Sequence, residues 1–362
     1  MSILSLFAGP GGFDQGAAIL GLTEKHIGYD IDPDACATAR AAGFARTQAD
    51  VRSLNPDDFQ DVKTVIITSP CPTLSAAGKG TGRKGKDRQT VIDGISAFGD
   101  LNREVGDPAE YHAAIESVED QRTALLLENI RWALHLPNVT TVICENVPGA
   151  RDYWWEIAAE LVMNRWMSVH VLEVQSEDLR VASNRKRVFL VACKDRMPDL
   201  GYLPLRGGVH MPRFDQAPYD LVPVASVFGE TTMAQALGWP TGERVNTRGN
   251  RRTSGGNEFS ADRPAWCLTG KARTWKRVSD GSTLTPAEAG LLNGFPRDYP
   301  WTGSSRTSIF QRIADVVSPV VSAAILGIAL GIEWEPMVAD YLDRIYRTSP
   351  TWEQTDLFDL AA

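Results

Sequence analysis

Cys71 lies in TSPCPTLSAAGKG, at the end of an apolar run and with a proline on either side. Proline lacks an amide donor and favours extended backbone, so Pro70 and Pro72 project the thiol into a turn instead of a packed strand. The stretch that follows, SAAGKGTGRKGK, is rich in glycine and in basic residues. Such a segment suits a loop that closes over an anionic polymer, and its cations favour the thiolate, the nucleophilic form of cysteine. Glu145, in ICENVPG, ends a second apolar run, and Arg185 and Arg187 alternate on one face of SNRKRVFLVA as it enters a third. These groups suit covalent attack on a pyrimidine ring followed by alkyl transfer. The sulfur adds to ring carbon 6, the carboxyl stabilises ring nitrogen 3, and one arginine holds the 2-oxo oxygen while the other organises the loop. Acid–base help of this kind is worth roughly 10²–10⁴ in rate, about 3–5 kcal/mol.

An alkyl donor needs its own site. SLFAGPGGF opens the chain, and its glycines at a strand-to-helix turn let backbone approach a ligand closely. Their spacing differs from the dinucleotide and phosphate-loop fingerprints. Asp30, at the end of the next strand in GYDIDPDA, stands where an acid bonds ribose hydroxyls. Asp50, in QADVR, is placed to meet an adenine edge. A glycine turn and two acids after successive strands suit an adenosyl ligand without phosphates. Each acid taken singly also reads as a helix N-cap or a turn residue.

Alternating β-rich and helical periods must carry these groups. Strands are expected over 3–7, 26–30, 64–68, 139–145, 169–174 and 188–193, with helices over 13–20, 34–42, 121–134 and 154–164. That alternation implies a mostly parallel α/β sheet covered on both faces, with ligands outside the strand carboxyl ends. The stretch 84–119 is polar, contains several glycines and reads as an insertion: a lid, a partner surface or an inert loop. From about Met197 proline, glycine, arginine and asparagine become frequent, which reads as a separate loop-rich module. Helical period returns over 287–292 and 316–332, and the residues from Glu333 read as an extension past the core.

The 362 residues carry a net charge of −8, which argues against a general nucleic-acid coat protein. The charge is uneven, however. From Arg244 to Arg277 there are nine basic residues against two acidic ones, interleaved with Asn246, Asn250, Asn257, Trp266 and Trp275. Side chains of those kinds read base edges or stack on them, so the run is expected to face nucleic acid. Five cysteines without paired spacing support neither a disulfide framework nor a zinc site. No apolar stretch reads as a membrane span and no leader precedes the first strand, so a cytoplasmic monomer is expected.

Taken together, FAGPGG, SPCPTLSAAG, ENVPGA, RKRV, LTPAEAGLLNGFP and VVSPVVSAAI resemble, in order, the motif series of the cytosine-5 DNA methyltransferases. The resemblance implies a Rossmann-like S-adenosylmethionine-dependent sheet with a smaller target-recognition domain. It implies methyl transfer from S-adenosylmethionine to a cytosine flipped out of double-stranded DNA, as in restriction-modification systems. Cys71 becomes the nucleophile, Glu145 the partner of ring nitrogen 3, and Arg187 that of the 2-oxo oxygen, with Arg185 in support. Cofactor contacts fall on Phe7, Ala8, Gly9, Gly11, Gly12, Asp30, Ile31, Asp50, Val51, Pro70, Leu125, Asp315 and Val316. DNA contacts fall on Ser75, Lys79, Arg83, Arg248, Arg251, Arg252, Lys271 and Arg273, with no metal. The implied division is 1–193 catalytic, 194–282 target recognition, 283–332 catalytic again and 333–362 extension. The chain has Pro72 and Ser183 where the family has glutamine, and Ala314-Asp315 where it has Gly-Asn. The same resemblance leaves tRNA cytosine or a modified sulfonium donor as alternatives. Near the end, QTDLF, from Gln354 to Phe358, resembles the peptide by which bacterial replication proteins dock on the sliding clamp, and it also reads, in preference, as a tail that packs its aromatics on the body.

Overall fold

The computed structural model describes residues 2–22, 26–70, 73–74, 82, 85–104, 106–200, 203–204, 229–247 and 257–347. The chain runs β1 (Ser2–Leu6), α1 (Gly12–Ile19), β2 (His26–Asp30), α2 (Pro33–Ala41), β3 (Ala45–Gln48) and β4 (Val62–Ile67). Four helices follow: α3 (Gly85–Asn102), α4 (Pro108–Ser117), α5 (Gln121–Ala124) and α6 (Leu127–His135). Then come β5 (Thr141–Asn146), α7 (Arg151–Met163), β6 (Ser168–Gln175) and β7 (Lys186–Cys193). These strands make one seven-stranded sheet in the order β3-β2-β1-β4-β5-β7-β6, parallel except for β7, which runs antiparallel to both of its neighbours. The order reverses between β1 and β4, which opens a crevice at their carboxyl ends.

The central strands are apolar and β-branched because both faces are covered. Along β5 all six residues are buried. Alternate residues serve opposite faces. Leu4, Val65, Val142 and Cys144 join a core with Trp132 of α6 and Trp154 of α7, while Ile3, Ile66 and Ile143 join the core on the other side.

The rest of the chain forms α8 (Met233–Leu237), β8 (Arg244–Asn246), β9 (Glu258–Ser260) and β10 (Lys276–Arg277). It ends with α9 (Pro286–Leu292), α10 (Arg306–Asp315), α11 (Pro319–Leu330) and α12 (Glu335–Tyr346). Strands β10-β8-β9 make a small antiparallel sheet. Its Val245 and Phe259, with Trp275 just before β10, share a third core with Leu291 and Leu292 of α9 and Phe310 and Ile313 of α10. The break expected between 282 and 283 therefore falls inside one packed cluster.

Three further expectations change. The stretch 84–119 is not a loop: α3 and α4 bury Val91, Ile95, Phe98 and Tyr111 in the first core. Residues 334–346 do not leave the core, because Trp334, Val338 and Leu342 are buried in the second. The segment Arg306–Leu330 is, after all, long and apolar enough by composition to cross a membrane, but 94% of its most apolar window is buried in the fold. All twelve residues of α11 are inside, so its apolarity serves the core. α11 lies against α1, where a Cβ on Gly16 would come 2.3 Å from Ser322 Oγ.

Candidate active site

The turn after β1 is bent by three residues of positive φ: Phe7 (55°), Gly9 (55°) and Gly11 (109°). A phenylalanine in that region is uncommon and costs on the order of 1 kcal/mol or more, so the surrounding structure must hold it there. The turn is tied to the end of β2: Ala8 N–H donates to Tyr29 O at 2.9 Å, and Gly9 N–H to Asp30 Oδ2 at 2.8 Å. Asp32 N–H takes the other Asp30 oxygen, also at 2.8 Å. Burial pushes the Asp30 carboxyl upward, and the two amide bonds and Arg46 oppose it. Among the described residues, none comes within 4 Å of a Cβ on Gly9, which leaves the turn open there beside the anchored acid. Open backbone next to a carboxylate with free lone pairs fits a hydroxyl-bearing, uncharged group such as a ribose.

Other expected cofactor residues are placed unevenly. A Cβ on Gly12 would lie 2.4 Å from Val317 O, and one on Gly11 would lie 2.7 Å from the Tyr299 hydroxyl. Both glycines face protein and serve close packing. Ile31 is 62% exposed, Val51 is buried in the first core, and Leu125 is half-buried as the C-cap of α5. Asp50 is paired through both oxygens with Arg52, whose Nη2 is 2.7 Å away, and this pair holds the carboxyl below its usual range. Asp315 accepts twice from Gln311 Nε2 at 2.9 Å, and Val316 packs with Phe295 and Tyr299.

The carboxyl end of β5 gathers the second group. Glu145 is opposite Phe189 in the antiparallel pairing with β7, so Arg187 is its diagonal neighbour on the same face. Arg187 Nε lies 3.1 Å from Glu145 Oε1. Burial pushes the Glu145 carboxyl upward, with Arg187 and then Arg185 opposing it. Arg185 does not join this pair. Its guanidinium donates to the backbone carbonyls of Ala314 and Asp315, and burial depresses its pKa to about 10. It acts as a brace between the entry of β7 and the end of α10.

Two buried amides missed in the sequence converge on the segment that leads to the thiol. Asn146 Nδ2 donates to Ser69 O at 2.9 Å, and Asn129 Nδ2 donates to Ser69 Oγ at 3.1 Å. Asn146 Oδ1 also accepts from Val147 N–H at 2.8 Å. The signal for Asn146 was its place beside Glu145 in ENV; Asn129 gave none. Pro70 is half-buried directly after Ser69. Cys71, Ser75, Lys79, Arg83, Arg248, Arg251, Arg252 and the stretch from Gln354 to Phe358 lie outside the described residues.

Of the nucleic-acid contacts expected in the small module, Lys271 is exposed, while Arg273 donates to Gly270 O at 2.6 Å. Trp266 is 47% exposed and stacks on Phe259 with ring centroids 4.9 Å apart.

Residues 1–98 match the family model described as C-5 cytosine-specific DNA methylase. No curated protein matches the chain. Among solved structures, the Schizosaccharomyces pombe Dnmt2 methyltransferase aligns with a TM-score of 0.57 at 12% identity, covering 91% of this chain and 98% of that one. The Entamoeba histolytica methyltransferase EhMeth aligns with a TM-score of 0.58 at 14% identity, over 91% and 98%. A candidate DNA modification methyltransferase encoded within an E. coli prophage aligns with a TM-score of 0.52 at 16% identity, over 94% and 97%. At these identities the likeness establishes the fold, a Rossmann-like methyltransferase sheet.

Proposed function

We propose that this chain, whose first 98 residues match the family model of the C-5 cytosine-specific DNA methylases, is an S-adenosylmethionine-dependent DNA methyltransferase that makes 5-methylcytosine. The turn from Phe7 to Gly9 and Asp30 would hold the ribose end of the cofactor, with Asp50 and Leu125 toward the adenine. When bound, S-adenosylmethionine supplies an electrophilic methyl group to ring carbon 5.

The chain's own residues do the rest. The Cys71 thiolate bonds to ring carbon 6 of a cytosine taken out of the stack. Electron density moves toward carbon 5 and nitrogen 3. A protonated Glu145 donates at nitrogen 3, and its burial favours that neutral form. Arg187, beside it, is placed for the 2-oxo oxygen. Loss of the carbon 5 proton then expels the sulfur and restores the ring. The observation that carries this reading is the pairing of Glu145 with Arg187 next to Asn146, which reaches across to Ser69, two residues before Cys71.

The test is trapping on a duplex containing 5-fluorocytosine, whose fluorine cannot leave as a proton. Wild type with S-adenosylmethionine should give a denaturation-resistant adduct, and Cys71→Ala should give none. An equal adduct in Cys71→Ala refutes the covalent step. Parallel assays on duplex DNA and on tRNA decide the polymer, and methylation of tRNA alone refutes the DNA assignment.

A further inference from the structure

Between α4, the α5–α6 corner and the turn after β3 lies a cavity of about 300 Å³. Tyr111 and Ile115 of the inserted helix α4 form one wall, Leu125 and Glu128 another, and Arg52 and Arg131 the side toward β3. Three observations connect it to the cofactor cleft. Arg52 reaches from it to clasp Asp50, the acid expected at the adenine edge. Leu125, expected on the cofactor side, lines it directly. Arg131 donates to the carbonyls of Val51 and Leu54, which fixes the turn after Asp50 against α6.

Packing holds one wall of the cavity in place. Tyr111 is only 6% exposed, and its ring packs on Phe98 with centroids 4.6 Å apart. The Tyr111 ring, Ile115 and Leu125 give the lining an apolar part beside the polar heads of Arg52, Glu128 and Arg131, which suits a flat, mostly apolar group with few polar atoms.

We propose that the inserted helices extend the adenine end of the cofactor cleft into a chamber that accepts an aryl or alkyl group carried on the adenine amino nitrogen. Tyr111 and Ile115 then determine which adenosyl cofactors fit, and the insertion is a specificity element for the donor. This rests on the reading of the chain as an S-adenosylmethionine enzyme.

The test is calorimetric titration of the full chain with S-adenosylhomocysteine and with its N6-benzyl analogue, which needs no turnover. Wild type should bind the two within about tenfold of each other. Ile115→Trp, which fills the chamber from an outer helix, should keep S-adenosylhomocysteine affinity and lose the benzyl analogue by more than tenfold. Tight binding of S-adenosylhomocysteine with rejection of the benzyl analogue by wild type overturns the chamber while leaving the cofactor reading intact. Equal weakening of both ligands in Ile115→Trp also overturns it. No binding of S-adenosylhomocysteine to wild type removes the cofactor reading itself, and the chamber with it.

Discussion

The side-chain amide of Asn146 donates to the carbonyl oxygen of Ser69 at 2.9 Å, joining the end of β5 to the segment that enters Cys71. Asn146 is 2% exposed, so removing it leaves that carbonyl and Val147 N–H without their partner. Each lost partner costs about 1–3 kcal/mol, borne in the segment that leads to Cys71, the proposed nucleophile. Misplacing a reacting group by about 1 Å costs on the order of 10²-fold in rate. Asn146→Ala should therefore lower kcat by roughly 10- to 100-fold while leaving cofactor affinity within a few-fold of wild type. Steady-state kinetics beside calorimetric binding separate these. Unchanged kcat means that Asn146 does not position the thiol.

That link illustrates what a chain order can and cannot reveal. Glu145 was visible as a carboxylate ending an apolar run, but its pairing with Arg187 depends on β7 running antiparallel beside β5. Nothing in local periodicity states that direction. β3 escaped because it is an edge strand in which only Arg46 of four residues is buried, so no apolar pattern marks it. The helical nature of 85–117 was hidden by its glycines, which read as breakers. In the fold Gly94 and Gly99 are contact points: a Cβ there would lie 3.0 Å from Leu127 and 2.0 Å from Glu160. Close approach to α6 and α7 explains them, and close approach is not written in a single sequence.

Glu145 and Arg187 set a dependence on pH. The buried carboxyl is held above its ordinary value, so its contribution to stability is fully present below the unfolded value of 4.5 and is lost as pH rises through the folded one. Arg187 limits the shift. Arg187→Leu should push the carboxyl further up, so that the melting temperature goes on falling to a higher pH than in wild type as pH rises above 4.5. Adding Glu145→Gln should flatten that slope. Glu145→Gln alone should lose roughly 10²–10⁴ in kcat. A melting profile in Arg187→Leu parallel to wild type would show that the two groups do not interact.

His170 gives a second, opposite dependence. It is 2% exposed on β6, neither ring nitrogen has a hydrogen-bond partner among the described residues, and burial lowers its pKa to about 4 from 6.5. The unfolded chain takes up a proton that the fold refuses, so stability is whole above pH 6.5 and falls as pH drops toward 4. The full loss is up to about 3 kcal/mol. His170→Leu should remove this component, so that urea midpoints at pH 4.5 and pH 7.5 lie closer together than in wild type. An unchanged gap would assign the acid sensitivity to other groups.

Arg46 and Asp14 form a buried ion pair, with Arg46 Nη2 2.6 Å from Asp14 Oδ2 and both side chains almost fully enclosed. The pair fits because β2 has a glycine at position 28: a Cβ there would lie 1.4 Å from Arg46 Nη1. Removing one partner of such a pair costs about 3–5 kcal/mol, because the other charge stays buried without compensation, whereas replacing both with apolar or neutral groups is often near neutral. Asp14→Asn and Arg46→Met should each destabilise by that amount in urea unfolding, and the double variant should recover most of the loss. Gly28→Ala should behave like Arg46→Met, since it evicts the guanidinium, and should be largely suppressed when Arg46→Met is already present. Additive losses in the Gly28→Ala and Arg46→Met combination would mean that the glycine is needed for some reason other than the arginine that crosses it.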